Sequence, residues 1–156
     1  LLLEYLNRPN ATHDAYTADG WLHTGDLGYW REEGTITLVG RMSDMFKSGG
    51  YNVYPREIEN HLESHPSVEM AAVVGVPDER FQEVGAAFLV ISAEQQSTDI
   101  ESVVTQLKAH CSEHLANYKT PKTISIVDSL PILPVGKVDK VALKQQAIDQ
   151  LHKELV

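Results

Sequence analysis

Three polar clusters hold the residues of this chain whose types and spacing suit chemistry. The first is Asp19-Gly20-Trp21-Leu22-His23-Thr24-Gly25-Asp26. The second runs from Gly40-Arg41 to Glu59 as GRMSDMFKSGGYNVYPREIE, where Arg41 and Lys47 flank a potential joint and Gly49-Gly50 lets a backbone approach a ligand closely. The third is Leu130-Pro131-Ile132-Leu133-Pro134-Val135-Gly136-Lys137-Val138-Asp139-Lys140, a stiff proline loop that presents Lys137 directly after a glycine. Each lies where a strand or helix pattern ends, and loops held by rigid elements are where sites usually form. Taken singly, each has a plainer reading. Asp and Gly dominate turns, paired glycines are ordinary turn punctuation, and an exposed lysine is usually a solvated charge.

Composition limits what these clusters can serve. The 13 basic and 22 acidic residues leave a formal charge of -9, which argues against nucleic acid as a partner, because releasing phosphate counterions needs a clustered cationic face. Any phosphate handled here meets a few local lysines and arginines, or a metal. Cys111 is the single cysteine, so neither a disulfide framework nor a cysteine zinc site is available, and a reducing, cytoplasmic setting is expected. The seven histidines look scattered, with His61 and His65 at helical spacing but no carboxylate in register, and no metal site is expected. No run approaches the ~18 apolar residues of a membrane span. Leu1-Leu2-Leu3 is followed at once by Glu4 and makes no signal peptide; the start reads as a boundary inside a longer chain.

The elements that must position the clusters follow from periodicity. Residues 5–34 lack it and read as loops and short turns. Gly34 to Gly40 alternates at period two, predicting a half-buried strand, and 47–52 reads as a second turn-rich stretch. Pro55 starts a helix, with Ile58 and Leu62 one turn apart, expected to run to about His65 before Pro66. Met70–Val76 and Val84–Ile91 are near-continuous apolar runs that predict two central strands around the turn Pro77-Asp78-Glu79-Arg80. Thr98 with Glu101 suggests a capping box, and Ile100, Val103, Val104, Leu107, Cys111 and Leu115 then line one helical face. A third strand lies within Lys122–Val127, and Asp139 caps a last helix that turns Leu143, Ala147, Ile148, Leu151 and Leu155 inward. The order strand, helix, strand, strand, helix, strand, helix predicts an α+β fold with a short sheet flanked by helices.

In this order and at these separations, the three clusters resemble the closing motifs of the adenylate-forming superfamily of acyl-CoA synthetases, luciferases and peptide-synthetase adenylation domains. The resemblance runs from Leu3-Glu4-Tyr5-Leu6-Asn7-Arg8-Pro9 to Lys137 and its helix. It implies that residues 1–41 close a large N-terminal AMP-binding domain and that 42–156 form a small, mobile C-terminal lid domain. Asp26 matches the aspartate that accepts from the ribose hydroxyls of ATP and the adenylate, and a carboxylate suits a vicinal diol. Arg41 matches the arginine that contacts the nucleotide. Lys137 matches the lysine that bridges the substrate carboxylate and the α-phosphate during adenylation, an electrostatic and positional role.

Family members rotate the C-terminal domain between half-reactions about a hinge two residues beyond the arginine, which falls on Ser43, where many relatives have Asp or Lys. The loop matching Gly49, Gly50 and Tyr51 lines the pantetheine tunnel, with Lys47 and Asn52 as further candidates for the CoA surface. In the turn after the first central strand, relatives commonly read Pro-Asp-x-x-x-Gly-Glu, whereas this chain has Gln82 before Glu83. That turn is taken as structural.

The implied reaction joins a carboxylic acid, ATP and CoA into acyl-CoA, AMP and pyrophosphate through an acyl-adenylate. A Gly/Ser/Thr-rich phosphate loop is not found in these residues, so the chain is expected to be inactive alone. Mg2+ is expected in the complete enzyme but not on this chain. The partners implied are the N-terminal domain, the acid and CoA. A free-standing CoA-binding or protein-binding domain of the same fold is the first alternative. An adenylation domain serving a carrier protein is the second, disfavoured because no carrier domain follows the Lys137 helix.

Overall fold

The computed structural model describes residues 2–92 and 99–154. They divide into two compact units, one ending at Ser43 and the next starting at Asp44. In the first unit a short helix, α1 (Pro9–Asp14), precedes two antiparallel strands, β1 (Asp26–Trp30) and β2 (Ile36–Arg41). The reading of 5–34 as loops therefore missed α1 and β1. Four of the five β1 residues are exposed, so no period-two burial pattern marks the strand; only its pairing with β2 defines it.

The second unit is a five-stranded mixed sheet with helices on both faces. Its elements are β3 (Phe46–Ser48), β4 (Tyr51–Val53), α2 (Pro55–Glu63), β5 (Val68–Asp78), β6 (Gln82–Ile91), α3 (Ile100–His114), β7 (Thr123–Ile126) and α4 (Lys140–Glu154). The order is β4-β3-β6-β5, and β7 joins β6 in parallel. An α+β fold with a small mixed sheet is thus as expected. The turn-rich reading of 47–52 was incomplete, since two three-residue strands flank the glycine pair.

Burial on both faces explains the unbroken apolar runs. Along β5, Ala71 and Val73 pack with Ile58, Leu62, Val103, Leu107 and Cys111 under α2 and α3. Ala72, Val74 and Val76 point the other way, with Leu143 and Ala147 of α4. With neither face left to water, alternation disappears from the sequence. Ile58 and Leu62 are fully buried. Burial of each stabilises by about 1.5–3 kcal/mol, and Leu62→Ala would remove about 2–5 kcal/mol.

Helix ends differ in detail from the sequence reading. α2 stops at Glu63, with Ser64 as its C-cap. The capping-box Thr98 and the inward Leu155 lie outside the described residues; Asp99 caps α3 by accepting from the Glu101 N–H at 3.2 Å. Ile100 is 53% exposed rather than on the buried face. The histidines are not all scattered, because four of them meet where α2 and α3 approach. Among the described residues, no helix is long and apolar enough to cross a membrane.

Candidate functional site

In the first unit, the β1–β2 register sets Asp26 opposite Arg41. The Arg41 Nε–H donates to Asp26 Oδ1 at 2.8 Å. Asp26 is fixed from below by its own N–H, which donates to Thr24 Oγ1 at 3.1 Å, and Met42 N–H donates to the Gly25 carbonyl at 2.9 Å. Asp26 and Arg41 keep 31% and 50% of their side chains exposed. The pair therefore offers water a carboxylate beside a guanidinium, an acceptor for hydroxyls next to a fork for anionic oxygen. Ser43 lies in a 3₁₀ turn, Met42–Asp44.

In the second unit, Lys137 sits on a hairpin whose closure is readable bond by bond. The Gly136 N–H donates to the Leu133 carbonyl at 2.8 Å around Pro134 and Val135, and Gly136 takes φ +79°, which favours glycine. Leu133 N–H donates to the Lys137 carbonyl at 2.7 Å, Ile132 bridges Val138, and Asp139 N–H donates to the Pro131 carbonyl at 2.8 Å. Buried Leu130 anchors one arm. Asp139 caps α4 on the other, accepting from Ala142 N–H at 3.0 Å. Lys140 and Lys144 on α4 meet Glu59 and Glu83 at 2.7 and 2.9 Å. Lys137 is exposed and has no ion-pair partner among the described residues.

The Gly49-Gly50 pair forms the two-residue turn of the β3–β4 hairpin, with φ +57° and +88°. Two positive φ angles in a two-residue hairpin demand such residues. Register places Lys47 across from Asn52, both exposed, and Tyr51 across from buried Ser48. Tyr51 stacks on Tyr118 with ring centroids 4.5 Å apart. Beside this hairpin a cavity of about 300 Å3 is lined by Ser48, Arg80, Phe81, Tyr118 and Lys122, among others. Arg80 and Lys122 stand 5.2 and 5.4 Å from the Phe81 ring centroid.

The profile of the AMP-binding enzyme C-terminal domain matches residues 57–137, more than half of the chain. The chain belongs to that family. Lys137 is the last residue matched, and Asp26 and Arg41 precede the matched span. The chain is 46% identical over 146 residues to a (methyl-dioxo-octahydro-indenyl)propanoyl:CoA ligase of Rhodococcus jostii, covering 94% of this chain and 27% of that one. It is 42% identical to the long-chain-fatty-acid CoA ligase FadD13 of Mycobacterium tuberculosis, covering 94% and 28%. Among solved structures, o-succinylbenzoate CoA synthetase of Bacillus subtilis, in complex with its acyl-adenylate intermediate, superposes with a TM-score of 0.79 at 37% identity, covering 92% and 28%. The chain thus spans little more than a quarter of these relatives.

Sequence reasoning on this C-terminal domain overlooked Arg80, Phe81, Tyr118 and Lys122. They come from a strand turn and from the loop before β7, and no local motif links them. It also overlooked Glu59, a buried carboxylate that ties Lys140 at the start of α4 to the backbone N–H of Val73. An acidic residue between Ile58 and buried Leu62 on α2 was the available signal, since a charge that deep is kept only with a partner.

Proposed function

We propose that this domain closes over the adenylating centre of an ATP-dependent acyl-CoA ligase, making acyl-CoA, AMP and pyrophosphate from an acid, ATP and CoA. Lys137 supports the reading best. Its hairpin is held on both arms, and its ammonium is exposed with no carboxylate partner among the described residues, whereas Lys140 and Lys144 are neutralised. A cation so presented stabilises charge that builds as a carboxylate attacks the α-phosphate and pyrophosphate leaves.

Asp26 accepts from the ribose hydroxyls, and Arg41 holds Asp26 while facing nucleotide oxygens. Ser43 serves as hinge between residues 1–41, the end of the N-terminal AMP-binding domain, and the mobile domain 42–156. After rotation the Gly49-Gly50 turn gives the pantetheine thiol a path, with Tyr51, Lys47 and Asn52 around it. The neighbouring cavity with Arg80 and Lys122 suits the anionic part of CoA. The N-terminal domain supplies the phosphate loop and the acid pocket, so the chain alone is inactive, and a cytoplasmic setting fits its lone buried thiol. Mg2+ is assigned to the complete enzyme, held by groups outside this chain.

The test uses the protein that includes the N-terminal domain. Lys137→Ala is expected to lower acid-dependent ATP–pyrophosphate exchange by about 10²–10³-fold, the range for losing one preorganised charge, while supplied acyl-adenylate still reacts with CoA. Equal loss of both half-reactions would overturn the assignment, and exchange by residues 1–156 alone would overturn the division of labour.

A further inference from the structure

Where α2 meets α3 stands a group of imidazoles that the adenylation roles do not use. His61, near the end of α2, and His110 and His114 of α3 each bring one ring nitrogen within 4.8 Å of the other two. His110 and His114 are one turn apart, the spacing that sets two imidazoles on one helix face. His61 faces them from the opposite helix, its ring centroid 4.1 Å from His110 and 5.4 Å from His114.

Hydrogen bonds fix which nitrogens carry protons. His61 Nε2 lies 2.9 Å from the His110 carbonyl oxygen, and His110 Nε2 lies 3.1 Å from the His61 carbonyl oxygen. A carbonyl only accepts, so Nε2 carries a proton in both rings, and Nδ1 is the nitrogen left to offer a lone pair. A backbone carbonyl that holds one ring N–H and leaves the other nitrogen bare is the usual support of a metal-bound histidine. Ser64 Oγ, 3.2 Å from His110 Nε2, is itself donating to the His61 carbonyl at 2.6 Å, so it too accepts from His110. His65, 5.2 Å from His110, differs. Its Nδ1 accepts from the Ser67 N–H at 3.2 Å, so its lone pair is already in use.

Packing accounts for His61 stacked on His110. It does not call for His114, whose side chain is exposed yet keeps a nitrogen inside the same 4.8 Å cluster. We propose that His61, His110 and His114 form a binding site for a borderline divalent transition ion, foremost Zn2+, with water completing the shell. Three imidazoles without a carboxylate suit Zn2+, Ni2+ or Cu2+ and not Mg2+ or Ca2+. Zn–N distances of ~2.0–2.1 Å put tetrahedral nitrogens ~3.3 Å apart, so the cluster, now within 4.8 Å, contracts by at most about 1.5 Å. The stacked rings lie within 6° of parallel and do not aim two lone pairs at one point. Loading therefore tilts one ring out of the stack, and exposed His114 rotates to meet it. The bound ion cross-links α2 to α3 on the face opposite α4.

The test is calorimetric titration of the chelator-treated 156-residue chain with ZnCl2 at pH 7.5, repeated with CoCl2 while recording the visible bands of tetrahedral cobalt. One ion per chain, a rise in Tm with Zn2+, and loss of about tenfold or more in affinity on His114→Ala are expected; His13→Ala, in the first unit, should leave affinity unchanged. His114 is exposed, so that variant keeps its fold, which circular dichroism checks. For the native chain, 15N spectra should show the His61 and His110 Nδ1 signals moving on Zn2+ addition. Absence of 1:1 binding, affinity unaltered by His114→Ala, or 15N shifts confined to His13, His23 or His152 would each overturn the site.

Discussion

The Lys140 ammonium lies 2.7 Å from Oε1 of Glu59, and the same oxygen accepts the Val73 N–H at 2.9 Å. Glu59 is buried and is also approached by Arg56 at 3.6 Å, while Asp44 Oδ2 stands 3.4 Å from Lys140. One carboxylate therefore joins α2, the central strand β5 and the first residue of α4, three positions after Lys137.

Lys140→Met strands that buried carboxylate with less neutralisation. Stability should fall by about 3 kcal/mol, within the range for breaking one side of a buried pair, read as a lower urea midpoint with an unchanged m-value. In the complete enzyme, adenylation should drop although Lys137 is intact, because the base of its hairpin is no longer held. Unaltered stability would show that Val73 and Arg56 satisfy Glu59 alone.

Gln82 occupies the place where the resembling motif carries glycine, and it has φ +69°. A side chain there costs about 1–2 kcal/mol, against roughly 0.5–1 kcal/mol of extra backbone entropy lost by glycine. Gln82→Gly should therefore stabilise the chain by about 0.5–1 kcal/mol in chemical denaturation. The change also relaxes the point where β3 meets β6, since Ser48 pairs with Gln82.

Asp26→Asn separates a functional from a structural role for the Asp26–Arg41 pair. An exposed ion pair contributes about 0–1 kcal/mol, so Tm should hardly move. Under the proposed ribose contact of Asp26, loss of the charged acceptor in the complete enzyme should weaken nucleotide binding by about 1.5–3 kcal/mol, measured as KM for ATP. A large fall in Tm with unchanged KM would reverse the assignment.

Burial pushes the Cys111 thiol up to about 11. The unfolded chain ionises this thiol near its ordinary value, and the folded chain holds the proton longer, so the contribution to stability is complete below that value and declines as pH rises toward 11. Denaturation midpoints should fall over that interval, and Cys111→Ala should flatten the slope. Iodoacetamide should label the native chain slowly at pH 8 and the unfolded chain rapidly.

Much of the second unit was legible because its apolar residues spell their own geometry. The runs in β5 and β6, the turn-spaced Ile58 and Leu62, and the Asp139 cap each act over a few residues. The strands around Gly49-Gly50 were not legible, being three residues each, too short for any period to show. Strand β1 failed for another reason, since its mostly exposed side chains carry no burial signal.

The sequence by itself determined the longer elements of the second unit and the three polar clusters, because periodicity, caps and turn residues act between near neighbours. Only the tertiary structure decided which polar groups meet. Arg41 finds Asp26 across 15 residues, His61 finds His110 across 49, and Glu59 finds Lys140 from the opposite face of the sheet. Each pairing depends on strand register or helix docking, which are set by burial of the whole core rather than by any one segment. For Lys137 the division is sharpest: the proline loop and Gly136 dictate its hairpin, and the fold's pairing of its neighbours leaves its charge available.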